Sequence, residues 1–192
     1  MAFDERQVLI SGGGPVGLLC AWLLGRRGIP VVLFDENAGP RADPRAATTH
    51  PATLDLLAED GLADDMERVG LVAPIFQFWD RPSASLVAQF DHAVLTDDTR
   101  HPYVVQCEQF KTAKLVLQRL ATLGNVAVKF NHSVVDVAQS DRTVSVDVKG
   151  PNGIETHTDA YLIGAAAPCA RAAASRSRAS PGPSASSCSP PV

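Results

Sequence analysis

Val8-Leu-Ile-Ser-Gly-Gly-Gly-Pro-Val-Gly17, continued by the apolar run Leu18 to Leu24 and then by Ile29-Pro-Val-Val-Leu-Phe-Asp35, decides the fold of this 192-residue chain. An apolar strand runs into a bend with glycine at positions 12, 14 and 17, the G-x-G-x-x-G spacing. A helix opens at Pro15, and Gly28 is expected to break it before a second, β-branched strand. Each glycine answers a separate need. Gly12 permits the tight turn, Gly14 lets backbone amides approach a ligand with no Cβ in the way, and Gly17 lets the helix lie close on the strand. Ala21 adds a second small residue on the sheet-facing side. The helix start turns unpaired N–H groups and a partial positive charge toward the bend, where an anion is favoured. Asp35 ends the second strand 21 positions after Gly14, where a carboxylate would accept from a ribose hydroxyl. The unit therefore reads as a dinucleotide-binding βαβ. Gly12, Gly14, Pro15, Gly17 and Asp35 are its cofactor-binding candidates, and the glycines alone do not separate NAD from FAD.

Composition narrows the function classes. A hydrophobic content of 45% is ample for a core, and a net charge of -4 supplies no basic field for nucleic acid. The longest apolar stretch, Val16 to Leu24, is too short to span a bilayer, and no export segment opens the chain, so a cytoplasmic protein is expected. Four cysteines show no C-x-x-C pairing and five histidines no metal-ligand spacing, so no metal site is expected.

Beyond Asp35 the proline-punctuated segment Gly39-Pro-Arg-Ala-Asp-Pro-Arg-Ala-Ala47 reads as a surface connection carrying Arg45. Helices are predicted from Pro51 to Gly61 and then to Gly70. Ile75 to Trp79 and Leu86 to Phe90 read as strands joined by a turn, the start of a separate sheet. Val105-Gln106 opens a predicted helix, with Phe110, Ala113, Val116, Leu117 and Leu120 on one face and a stop at Gly124. Strands follow at Val126 to Phe130, Ser133 to Val137 and Val144 to Val148, then a hairpin through Gly150-Pro-Asn-Gly153. Tyr161-Leu-Ile-Gly164 reads as a return to the first sheet. From Ala165 onward there are nine Ala, seven Ser and five Pro and no acidic residue, a composition that builds no core.

From Val8 to Gly164 the order of motifs resembles the flavin-dependent aromatic hydroxylases, the single-component flavoprotein monooxygenases of the para-hydroxybenzoate hydroxylase type. Three blocks carry the resemblance: Gly12 to Asp35, Pro44-Arg-Ala with Thr53-Leu-Asp-Leu-Leu57, and Val105-Gln106. It implies an α/β fold, a Rossmann-like FAD-binding βαβ unit with part of an interleaved β-rich substrate domain. It also implies Arg45 on the FAD phosphates and Gln106 near the flavin. The implied activity is hydroxylation of a phenolic or other aromatic substrate with FAD as cofactor, NAD(P)H as co-substrate and dioxygen as oxidant. The implied organisation is an FAD-binding domain over 1–164, with substrate-domain segments at about 71–102 and 131–158, and a tail over 165–192. Tyr161 to Ala165 resembles the lead-in to the family's second FAD fingerprint, but Ala166 stands where its aspartate belongs. The chain thus reads as an N-terminal fragment whose activity stays open, and its tail as either disordered or the product of a shifted reading frame.

That chemistry belongs to the cofactor, so no catalytic residue is nominated. His50 reads as a solvated histidine at a helix start, and Glu108 and Asp136 as surface carboxylates. Phe76 and Trp79 could line a ring-binding pocket, but at strand spacing they read as core. An NAD-dependent dehydrogenase and a non-catalytic nucleotide-binding module are the alternatives; the Arg45 and Gln106 blocks favour FAD.

Overall fold

The computed structural model describes residues 7–42 and 47–165. In chain order the elements are β1 (Val8–Ser11), α1 (Pro15–Gly25), β2 (Val31–Asp35), β3 (Thr48–Thr49), α2 (Pro51–Ala58), α3 (Leu62–Val69), β4 (Leu71–Ala73), β5 (Ile75–Asp80), β6 (Ser85–Asp91), β7 (Val104–Gln106), α4 (Gln109–Leu120), β8 (Val126–Phe130), β9 (Ser133–Gln139), β10 (Val144–Gly150), β11 (Gly153–Asp159) and β12 (Tyr161–Gly164).

A parallel sheet in the order β12-β1-β2-β8 forms the middle layer. Parallel strands are buried on both faces, which is why β1 and β2 read as continuous apolar runs. Their side chains still divide by parity. Val8, Ile10, Val31 and Leu33 join Leu18, Ala21 and Trp22 of α1, Leu54 and Leu57 of α2, Met66 of α3 and Val116 of α4 in the larger core cluster. Leu9, Val32 and Phe34 point the other way, onto Val137, Val144, Val146 and Val148 of the antiparallel meander β9-β10-β11. The strict alternation of Val144, Val146 and Val148 is thus the inner face of a covering sheet.

Small residues set the spacing between layers. Gly25 faces β8 so closely that a Cβ there would lie 2.3 Å from Val126 Cγ2. Helix α1 ends at this residue, three positions before Gly28. Gly28 instead takes φ +79° in the turn that leads to β2.

Two expectations need correction. Gln106 does not open a helix. It ends β7, the central strand of a separate antiparallel sheet β3-β7-β4, opposite Thr48 and Leu71; α4 begins three residues later, at Gln109. The chain rejoins the parallel sheet at β8. Phe76 and Trp79 are not core either. They lie on the β5-β6 hairpin with 49% and 56% of their surface exposed, and Phe76, Phe78 and Phe90 stack edge to face and tilted on one another. Among the described residues no helix is long and apolar enough to cross a membrane.

Candidate cofactor site

The bend between β1 and α1 has the geometry its glycines predict. Gly12 takes φ +113°, a region that side chains rarely enter, and its N–H continues the ladder onto Phe34 O at 2.8 Å. A Cβ on Gly17 would sit 1.8 Å from Gly12 O, so the first turn of α1 rests directly on the bend. Gly14, the N-cap, is extended (φ −70°, ψ 177°), and a Cβ there would meet nothing within 4 Å. Its neighbour Pro15 has no N–H to satisfy, and the first helical bond runs from Leu18 N–H to Gly14 O at 3.0 Å. The amides of Val16 and Gly17 therefore precede the helical ladder, the arrangement that receives an anion.

Asp35 closes the other side. Its Oδ2 accepts from Gly13 N–H at 2.6 Å, and its Oδ1 accepts from Asn37 N–H at 2.8 Å and from Asn37 Nδ2 at 2.9 Å. The carboxylate at the tip of β2 thus touches the glycine bend across 22 residues of sequence. Between them lies a cleft of about 250 Å³ whose walls include Gly14, Pro15, Asp35, Arg41, Gln109 and Phe110. Gln109 and Phe110 come from the first turn of α4, which packs beside α1.

Gly14, Pro15 and Asp35 are brought together at this cleft, while Gly12 and Gly17 pack on each other within the bend and stand outside the cleft lining. Gln106 stands apart from the cleft lining, its Oε1 accepting from Thr48 Oγ1 at 2.9 Å. Arg45 and Ala166 lie outside the described residues. Arg41, Asn37, Gln109 and Phe110 were not read from sequence as site residues. A basic residue in the Gly39-Pro-Arg41 loop was a usable signal for the first; nothing local marks the start of α4 as neighbouring a bend ninety residues earlier. Of the other candidates, His50 is the N-cap of α2 without a side-chain capping bond, and Glu108 pairs with Lys111 at 2.7 Å, which holds its carboxyl below the usual range.

Comparison with known proteins bears on this geometry. The family described as FAD binding domain matches residues 5–185. The para-nitrophenol 4-monooxygenase of a Pseudomonas species is 36% identical over 146 residues, covering 76% of this chain and 36% of that protein. The 6-hydroxy-3-succinoylpyridine 3-monooxygenase of Pseudomonas putida is 35% identical over 162 residues, covering 84% of this chain and 41% of that protein. The crystal structure of p-nitrophenol 4-monooxygenase from Pseudomonas putida superposes with a TM-score of 0.78 at 33% identity, over 85% of this chain and 41% of that one. The chain thus spans about two fifths of the length of these relatives.

Proposed function

Since the chain belongs to the FAD-binding domain family, we propose that the cleft between the glycine bend and Asp35 holds the ADP half of FAD, and that the chain is the N-terminal part of an aromatic-ring monooxygenase. The observation that carries this reading is the pairing of an open, side-chain-free Gly14 at a helix start with a carboxylate bonded across the bend to Gly13. Diphosphate and ribose are the two chemistries those groups accept. The fit is favourable at each point: a Cβ at Gly14 would project into free space, amides precede the helical ladder, and Asp35 sits within reach of the same cleft.

In this assignment Gly13, Gly14 and the first turn of α1 hold the diphosphate. Asp35 holds the adenosine ribose, and Arg45 supplies a cation to the phosphates. Gln106 is assigned to the flavin side. When bound, FAD supplies the redox chemistry by which NAD(P)H and dioxygen hydroxylate an aromatic ring. The protein's part is to bind, orient and exclude water. Residues 1–164 form the FAD-binding unit, with 71–102 and 131–158 as substrate-domain segments. The substrate class is a phenol or related hydroxylated heteroaromatic ring, supported by the names of the relatives, a nitrophenol and a hydroxypyridine monooxygenase.

Titrating the purified chain with FAD tests this. Retained flavin absorbance with quenched fluorescence, weakened but still measurable in Asp35→Ala, is the expected result. Binding of NAD without flavin would instead support a dehydrogenase, and binding of neither would refute the assignment.

A further inference from the structure

The turn after β2 holds Asp35 from more than one side. A backbone donor and a side-chain donor of position 37 converge on one oxygen: Asn37 N–H and Asn37 Nδ2 donate to Asp35 Oδ1 at 2.8 and 2.9 Å. The other oxygen, Oδ2, accepts from Gly13 N–H at 2.6 Å. The main chain is fastened as well. His132 N–H donates to Asp35 O at 2.8 Å and Asn131 N–H to Asn37 O at 2.9 Å, so the β8-β9 turn grips the backbone on both sides of Glu36. Asn131 makes its bond from the left-handed region, φ 58°, which asparagine tolerates better than most residues. His132 is itself held, with Nδ1 2.7 Å from Phe130 O; a carbonyl only accepts, so Nδ1 carries the proton.

An ionised carboxylate offers about four acceptor positions. Three are filled from within the protein, and Asp35 and Asn37 both line the cleft. We infer that Asn37 is a positioning residue for cofactor recognition: its side-chain amide fixes the rotation of the Asp35 carboxylate so that one acceptor direction faces the cleft, and one ribose hydroxyl is taken there. This rests on the reading of the cleft as the ADP site of FAD. The backbone bond from position 37 survives any side-chain change, so substitution isolates the amide.

The test is a double-mutant cycle on the full chain, titrated with FAD by flavin fluorescence and with ADP by calorimetry. Removing a donor to a charged acceptor in Asn37→Ala is expected to weaken both ligands about tenfold. In an Asp35→Ala background the same substitution is expected to change affinity less than about twofold, because the amide acts only through that carboxylate. Asn37→Asp keeps the side-chain shape and replaces the donor by a second negative charge; it is expected to weaken binding at least as much as alanine. A purely structural role for Asn37 predicts instead the same loss with and without Asp35, and that result, or wild-type affinity in Asn37→Ala or Asn37→Asp, overturns the inference. A wild-type chain that binds neither FAD nor ADP removes the reading of the cleft and the inference with it, an outcome separable from a null effect of the variants.

Discussion

Gly17 and Gly14 stand three residues apart in one motif, yet the structure gives them opposite tasks. A methyl group on Gly17 would lie 1.8 Å from Gly12 O and 3.0 Å from Gly12 C, while ordinary contact begins at 3.4 Å. The first turn of α1 would have to move by about 1.6 Å, and the obstructing atoms are backbone, which cannot rotate away. Overpacking of that kind costs roughly 3 kcal/mol at the upper end of the usual range. Alanine's better helix propensity returns about 1 kcal/mol. The expected net loss for Gly17→Ala is thus about 2 kcal/mol of folding stability. Gly14→Ala meets nothing within 4 Å and keeps a backbone conformation any residue adopts. Its stability is expected to stay within about 0.5 kcal/mol of wild type, because alanine restricts the unfolded chain but caps helices poorly. That methyl group nevertheless enters the cleft, so Gly14→Ala is expected to lose FAD affinity by about tenfold or more while remaining folded. Urea unfolding followed by circular dichroism measures the first effect and flavin fluorescence titration the second. Equal unfolding midpoints for the two variants, or a Gly17→Ala midpoint equal to wild type, would refute the reasoning.

Further expectations follow from other contacts. Phe34 is 1% exposed between the parallel sheet and the meander, its ring 4.9 Å from that of His157; Phe34→Ala is expected to cost about 3–5 kcal/mol in urea unfolding. Burial, then the hydrogen bond to Glu67, pushes the Tyr103 phenol up to about 12. From the unfolded value of about 10 up to about 12, the folded chain keeps a proton that the unfolded chain has lost. The Tyr103 contribution to stability should therefore be full below pH 10 and fall across that window, and unfolding at stepped pH should show that component of the slope missing in Tyr103→Phe. Arg119 donates to Asp60 O at 2.7 Å and Gly61 O at 2.9 Å, pairs with Asp65 and lies over the Trp22 ring. Arg119→Ala is expected to cost about 1–3 kcal/mol in urea unfolding. The hydrogen bond from Arg119 is the main cause that holds the Asp65 carboxyl below its ordinary range, so that pair stabilises at neutral pH and is lost as pH falls; an acid titration of the variant should lack that component.

The β1-α1-β2 unit was readable because its determinants are local. Apolar strands, three glycines and a terminal carboxylate all fall within 28 residues, and the structure gathers Gly12, Gly14, Gly17 and Asp35 around one bend. Gln106 was misread as a helix start because the partners that make Val104–Gln106 a strand, Thr48 and Leu71, are remote in sequence. The wall that α4 supplies was hidden for the same reason. Phe110 acquires a role only when α4 is laid beside α1, and Asn37 only when its amide folds back on Asp35. Phe76 and Trp79 failed differently. An apolar strand pattern signals a covered sheet face, but the pattern carries no information on what covers it, and here both rings are about half exposed.

The pairing of β1 with β12 ties Val8 to Tyr161 and Ser11 to Gly164, with Ala165 N–H closing on Ser11 O at 2.8 Å. A ribosome adding about 5–20 residues per second needs roughly 10–30 s between making the first of these partners and the last. For that interval one edge of the opening strand is bare, and Ala165 reaches its place near Gly17 only at the end of it. Nascent copies are then open to pairing with foreign strands.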